Sequence, residues 1–323
     1  MDVIYFGSSE FSVPFLEHIT DSFHNVTGVF TYRDKKRGRG RKVSANPVKI
    51  SASDRGIDVY EIESFDDDFY NKLSNISFDY AVVVSFGMIL PEEIFERWPG
   101  VWLNVHPSML PEYRGPSPMI SALLDGRDHT GVTINSIVYE VDTGMIYAQT
   151  AFNIAKTDNL DRLEEKAVIF GAPLLINVLD LIEKACYKPL PQKDKGITYT
   201  RKIAPRDRVI CWGHPAEEVV SRIRAFSTKP GAYTQFRKLR LKILAAHITD
   251  MDASGKAPGE VVSAGKKDGM LIACGDGRLI GLDILQPQGK KPMDVLSFIN
   301  GYRISEGTVL GDCTETGVHP GKE

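Results

Sequence analysis

The chain has 323 residues, 42% hydrophobic and 25% charged, which is the usage of an ordinary globular protein of about two domains. That composition excludes a disordered, collagenous or low-complexity chain, and the longest apolar stretches, 80–91 and 167–179, fall short of the roughly 20 residues a membrane span needs. The formal net charge of −3 by itself points to no nucleic-acid partner. In chain order, residues 3–6 predict a short buried strand with no apolar or Arg-rich leader before it, so a cytoplasmic protein is expected. Gly7-Ser8-Ser9 is a turn, 11–19 a helix and 26–32 a second strand. A basic loop follows. Residues 47–56 read as a helix, 57–60 as a strand, and an acidic helical stretch leads to the apolar strand 80–84. Strands alternating with helices predict a parallel sheet covered on both faces, a Rossmann-like α/β layout. The GxGxxG fingerprint of dinucleotide binding is absent after the first strand, where Gly7-Ser8-Ser9-Glu10-Phe11-Ser12 stands.

Next comes Val101-Trp102-Leu103-Asn104-Val105-His106-Pro107. A period of two puts Asn104 and His106 on one face, and Pro107 ends the ladder because it has no N–H. Residues 132–139 and 145–154 predict strands joined by the turn Glu140-Val141-Asp142-Thr143-Gly144. Residues 160–183 predict an amphipathic helix, and the Pro-rich 189–196 a linker. Residues 216–226 read as helical, 232–285 as short strands with Gly-rich turns, and 297–304 as a closing helix. Such strands suggest a small OB-like β-barrel. The expected domains are therefore 1–187, a linker 188–207, and 208–323.

Charge is unevenly spread. Residues 1–207 carry 23 basic and 29 acidic side chains, whereas 208–323 carry 16 and 13. Inside the acidic part, 33–42 holds seven basic residues (Arg33, Lys35, Lys36, Arg37, Arg39, Arg41, Lys42) and one acidic, Asp34. Such a run is either a solvated loop or a footprint for phosphate, and its arginines suit fork-like contacts. Lys202 and Arg206 belong to a second basic stretch in the linker. The four cysteines, Cys186, Cys211, Cys274 and Cys313, form no CxxC pair and are expected as free thiols.

Asn104, His106 and Asp142 are the polar candidates. An amide beside an imidazole can steady an oxyanion while the ring moves a proton, and a carboxylate on a neighbouring turn can orient the ring. The same residues also suit a structural role, as a satisfied strand-end His and a turn-forming Asp. No nucleophile elbow is present, and the other histidines are scattered, so no metal is expected.

These motifs together resemble the methionyl-tRNA formyltransferase family over nearly the whole chain. The resemblance is carried by Phe6-Gly7 through Phe11-Ser12-Val13-Pro14, by Gly38-Arg39-Gly40-Arg41-Lys42 with Pro47-Val48-Lys49, and by Val84-Ser85-Phe86-Gly87-Met88-Ile89-Leu90-Pro91. Its core is Asn104-Val105-His106-Pro107-Ser108, Leu110-Pro111-Glu112-Tyr113-Arg114-Gly115, Gly131-Val132-Thr133-Ile134 and Val141-Asp142-Thr143-Gly144. Leu285-Gln286-Pro287-Gln288-Gly289 and Phe298-Ile299-Asn300-Gly301 are similar to the end of the family's second domain. Ser8-Ser9 stands where Thr-Pro is usual and Ser227-Thr228-Lys229 where Asn-Pro-Trp is usual.

The resemblance implies formyl transfer from 10-formyltetrahydrofolate to the α-amine of methionyl-initiator tRNA, with Asn104, His106 and Asp142 catalytic. It implies folate contacts at Phe86, Gly87, Met88, Ile89, Leu90, Ser108, Leu110, Pro111, Val138, Glu140 and Val141. It places tRNA contacts on the basic 33–42 stretch, with Arg39 at the acceptor end, and on Lys202 and Arg206. Nothing in the sequence requires more than a monomer. A formyltransferase for a small amine, such as an amino sugar nucleotide or glycinamide ribonucleotide, would share the Asn-His-Asp set without needing the basic stretch. A non-catalytic RNA-binding protein would keep the basic stretch without needing the set.

Overall fold

The computed structural model describes residues 1–33, 35–37, 42–253 and 255–311, with 35–37 and 42–44 described through their backbone. The chain divides into two compact units. One is Met1–Gly115, Thr130–Phe152 and Glu164–Thr198; the other is Pro116–His129, Asn153–Leu163 and the residues from Tyr199 onward.

The first part of the chain forms β1 (Asp2–Gly7), α1 (Val13–Thr20), β2 (Asn25–Tyr32), β3 (Lys35–Arg37), β4 (Lys42–Ser44), α2 (Pro47–Asp54) and β5 (Val59–Ile62). It continues with α3 (Asp67–Ser74), β6 (Tyr80–Val84), α4 (Glu92–Arg97) and β7 (Trp102–His106). Then come α5 (Pro118–Leu124), β8 (His129–Ser136), β9 (Ile146–Asn153) and α6 (Leu160–Glu183). Local chemistry sets the helix starts. Asn46 caps α2 by accepting from the Val48 N–H, with Pro47 in the first turn where its missing N–H costs nothing. Asp66 caps α3 through the Phe69 N–H, and Asp67 and Asp68 add negative charge at its positive end.

Seven strands form one sheet in the order β5-β2-β1-β6-β7-β8-β9. β1 runs parallel to β2 and β6, β2 to β5, and β6 to β7, while β7 and β8 are antiparallel. This is the mostly parallel sheet the alternating pattern predicts. Val3, Ile4, Tyr5 and Phe6 are fully buried, as a central strand covered on both faces requires. Phe6 stacks on Phe30 at 4.9 Å and meets Phe86 and Trp102 at 5.4 Å, which ties the strands of the sheet to the loop after β6. The chain steps outward from β1 to β2 and β5, then returns to β6 on the other side. The carboxyl ends of β1 and β6 therefore border a topological switch point, where open α/β sheets bind ligands.

The basic stretch is not a plain loop. Residues 35–37 pair antiparallel with 42–44 in a small ribbon. The helices α4 and α5 were not expected; each is under eight residues, too short to show a period. The strand expected over 132–139 ends at Ser136, leaving residues from Val138 to Val141 in an exposed turn.

In the second unit, α7 (Ala216–Phe226) precedes β10 (Ala232–Phe236), β11 (Leu239–Asp252), β12 (Val261–Gly265), β13 (Gly269–Ala273), β14 (Arg278–Pro287), β15 (Met293–Asp294) and α8 (Val295–Tyr302). The strands form an antiparallel sheet in the order β10-β11-β14-β13-β12, with β15 on β14. β11 spans 14 residues, and register shifts along its pairing with β14 bend it. The fold class expected from the sequence thus holds: a Rossmann-like unit followed by a smaller β domain. Cys186 and Cys274 are free. Cys211 is disulfide-bonded, so the expectation of free thiols fails there, and Cys313 lies outside the described residues. Among the described residues, no helix is long and apolar enough to cross a membrane.

A candidate active site at the carboxyl end of the parallel sheet

β7 carries Asn104 and His106 on one face, and its antiparallel partner β8 places Asn135 opposite Asn104 and Thr133 opposite His106. The Asn104 Nδ2 donates to Asn135 Oδ1 and to Asp142 Oδ1, both at 3.3 Å. Two acceptors therefore fix which end of the Asn104 amide is nitrogen. Asn135 is buried and donates its own Nδ2 to the Ser136 carbonyl, so its oxygen is free to face Asn104.

His106 is 4% exposed, and its Nε2 lies 3.0 Å from the Tyr113 carbonyl oxygen. A carbonyl can only accept, so Nε2 carries a hydrogen, and Nδ1 is the ring nitrogen turned toward Asp142. Nδ1 and Asp142 Oδ1 stand 3.5 Å apart. In the neutral tautomer Nδ1 and Oδ1 are both acceptors, and at that spacing they can hold between them a proton brought by a third group.

Asp142 sits at φ 56°, a left-handed conformation that Asp tolerates better than most residues. Its Oδ2 accepts from the Gly115 N–H at 2.6 Å, and its Oδ1 faces Asn104 and His106. Gly144 closes the turn against β8; a Cβ there would fall 1.8 Å from the Ser136 oxygen. Gln192 donates to the Asp142 carbonyl at 2.7 Å and the Gly144 carbonyl at 2.8 Å, and accepts from Arg114. The three polar residues expected from the sequence are thus brought together. Asn135, Gln192 and the Gly115 amide were missed.

The loop after β6 has two faces. Phe86 and Leu90 are buried in the core, Met88 packs against it, and Phe86 stacks on Tyr32. Gly87 has φ 86° and lies against the Tyr32 ring. Ile89 is 77% exposed, and on the 137–141 turn Val138, Tyr139 and Val141 are exposed beside Glu140. Apolar side chains left bare on loops are what a flat heteroaromatic ligand would cover. Ser108 is fully buried and donates to the Glu112 carbonyl. Leu110 is buried, its N–H given to Thr133 Oγ1, and Pro111 follows it.

Of the basic residues expected to meet RNA, Arg33 pairs with Glu63 at 3.2 Å. Lys35, Lys36, Arg37 and Lys42 lie on the β3–β4 ribbon, and Arg39 and Arg41 lie outside the described residues. In the second unit, Lys202 and Arg206 are exposed, while the neighbouring Arg201 is spent on Asp207 through two bonds of 2.9 and 2.8 Å. The sequence reading missed a further cationic patch. Arg240 lies 4.1 Å above the Tyr233 ring and Arg208 lies 5.8 Å from it, and Lys242 faces Tyr233 across the β10–β11 ladder. Burial, then the Arg208 and Arg240 guanidiniums, push the Lys242 ammonium below its ordinary range. Among the described residues no carboxylate pairs with these three cations.

The sequence profile of the formyl transferase family matches residues 1–179, and that of the formyl transferase C-terminal domain matches 202–303. The methionyl-tRNA formyltransferase of Sulfurihydrogenibium sp. is 38% identical over 309 residues, covering 95% of this chain and 99% of its own. The one from Natranaerobius thermophilus is 36% identical, covering 96% of this chain and 100% of its own. Among solved structures, the sugar 3N-formyl transferase WlaRD aligns with a TM-score of 0.65 at 22% identity, over 90% of this chain and 99% of its own.

Proposed function

The chain belongs to the methionyl-tRNA formyltransferase family, and on that premise we propose that it moves the formyl group of 10-formyltetrahydrofolate to the α-amine of methionyl-initiator tRNA. Asp142 Oδ1, 3.3 Å from Asn104 Nδ2 and 3.5 Å from His106 Nδ1, supports formyl transfer, and the 38% identity to a methionyl-tRNA formyltransferase over nearly the whole chain supports the acceptor. 10-Formyltetrahydrofolate, when bound, supplies the formyl carbon to which the methionyl amine bonds as the bond to the folate nitrogen breaks. Asn104 Nδ2 gives an N–H to the formyl oxygen as negative charge develops there, exchanging one of its long contacts for a shorter, charge-assisted one. The His106 Nδ1 and Asp142 Oδ1 pair takes the proton lost by the amine, and His106 returns it to the departing nitrogen. No protein nucleophile is needed, and none of these steps draws on a metal.

The bare apolar side chains at Ile89, Val138 and Val141 give the folate ring a wall, with main-chain groups from Gly87 to Ile89 and from Val138 to Val141 and with Pro111 as its partners, whereas Phe86, Leu90, Ser108 and Leu110, expected as contacts from the sequence, are buried and offer the ring no surface. The basic 33–42 stretch, Lys202, Arg206 and the Arg208, Arg240 and Lys242 patch supply phosphate contacts for the RNA. We assign the chemistry to 1–187 and the larger share of RNA binding to the linker and 208–323, in a cytoplasmic enzyme that works as a monomer.

The test is a transfer assay with labelled 10-formyltetrahydrofolate, offering charged initiator tRNA, charged elongator tRNA, free methionine and an amino sugar nucleotide in parallel. Label should enter only the methionine carried by initiator tRNA. Transfer to the amino sugar nucleotide, with none to charged tRNA, would replace this reading with a small-amine formyltransferase.

A further inference from the structure

We propose that Gln192 is a positioning residue for the reaction, holding the Asp142 turn so that the carboxylate meets Asn104 and His106; this rests on the reading of Asp142 as catalytic. Gln192 lies in the Pro-rich segment that the sequence marks only as a linker. Its Nε2 spends both hydrogens, on the Asp142 carbonyl at 2.7 Å and on the Gly144 carbonyl at 2.8 Å. Its Oε1 accepts from Arg114 Nε at 3.1 Å and Arg114 Nη2 at 2.7 Å. Arg114 is itself buried, so its guanidinium is a fixed fork that sets which end of the amide is oxygen. Only a side chain with a donor end and an acceptor end can bridge a guanidinium to two carbonyls. Glutamate has no hydrogen for the carbonyls, and lysine has no lone pair for the arginine.

The turn needs that clamp. Asp142 is a non-glycine residue at φ 56°, and such conformations persist where the surroundings over-determine them. Gly144 packs on the Ser136 oxygen from one side, and Gln192 holds the two carbonyls from the other. With the backbone fixed, the Asp142 carboxylate is left with the Gly115 N–H at 2.6 Å on one oxygen and the two β7 side chains on the other. Letting the turn relax moves the carboxylate without removing it.

The test combines Gln192→Ala, Gln192→Glu and Asp142→Asn, each alone, with Gln192→Ala and Gln192→Glu also placed on Asp142→Asn. Gln192→Glu keeps the Arg114 pairing, and so the packing, while losing both donors. Each Gln192 variant should lower kcat about 10²-fold, the cost of an ångström-scale misplacement. KM for 10-formyltetrahydrofolate should stay within about twofold of the parent. On the Asp142→Asn background neither substitution should lower kcat further, because the two residues act as one unit. The Gly115 amide NMR resonance, shifted downfield by its short bond to Asp142 in the parent, should move upfield in both variants. Parent-like kcat, or a loss that multiplies with that of Asp142→Asn, overturns the assignment. Parent-like turnover of Asp142→Asn instead overturns the catalytic reading of Asp142. In that event the Gly115 resonance still decides whether Gln192 holds the carboxylate.

Discussion

Asn104→Ala removes the N–H that we assign to the developing oxyanion, and losing one such donor costs about 10²–10³ in turnover. His106→Ala removes the ring half of the proton cradle, worth about 10²–10⁴. Both losses should appear in kcat under single-turnover conditions, while the folate and tRNA dissociation constants stay near parental values. A change confined to KM would show that these side chains bind substrate and do not serve the transition state. Much of this site was legible at single positions. Period two on β7 places Asn104 and His106 together, and Pro107 marks the strand end. Asn135 was not legible, because its role comes from the β7–β8 register, which no local pattern encodes. Gln192 was not legible either; it stands 50 residues from the carbonyl it holds, in a segment whose composition says only that it is irregular. The tautomer of His106 depends on the Tyr113 carbonyl, a backbone group that any residue type could have offered.

At the scale of elements, the linker shows how charge alone misleads. Arg201 counts toward a basic run in the sequence, yet the structure spends it on Asp207, which is fully buried within the short helical turn Pro205–Arg208. Arg222 donates to the Asp207 carbonyl as well, so this acid organises the entry into the second unit's own structure. Burial alone would raise the Asp207 carboxyl, but the Arg201 fork and the Ala204 N–H outweigh it and hold the group below its ordinary range. A depressed folded value means that the stabilisation is present above the unfolded value near 3.9 and is lost as pH falls through the lower folded value. Asp207→Asn should therefore cost about 1.5–3 kcal/mol at pH 7, as loss of charged hydrogen bonds does. The gap from the parent in urea unfolding should close as pH drops below about 4. A gap unchanged between pH 7 and pH 3 would mean that the carboxylate charge contributes nothing. Long elements were read well for a physical reason. The 24 residues of α6 repeat their apolar stripe often enough to define a period, and the apolar run of β6 has no competing pattern. The β3–β4 ribbon was hidden because Lys and Arg carry little strand signal, and its pairing is set by the partner segment.

Across the whole molecule, the residues proposed for the chemistry lie on one sheet, and those proposed for RNA contact are scattered cations. The order β5-β2-β1-β6-β7-β8-β9 puts the loop after β6 beside the switch point and sets β7 next to it, so the loop proposed for folate and the polar triad share one end of the sheet. The antiparallel β8 departs from the parallel scheme, and that departure brings Asn135 and, through the turn after it, Asp142 to Asn104. The most direct test of this account is a crystal structure of the protein with 5-formyltetrahydrofolate, which carries a formyl group but does not transfer it. The account predicts the folate ring against Ile89 and the 138–141 turn. It also predicts a free line of approach for an amine to the folate's N10 side, with Asn104 Nδ2, His106 Nδ1 and Asp142 Oδ1 all within about 4 Å of where a formyl group on N10 would stand. A folate bound elsewhere on the sheet, or bound with N10 turned away from those three atoms, would contradict it.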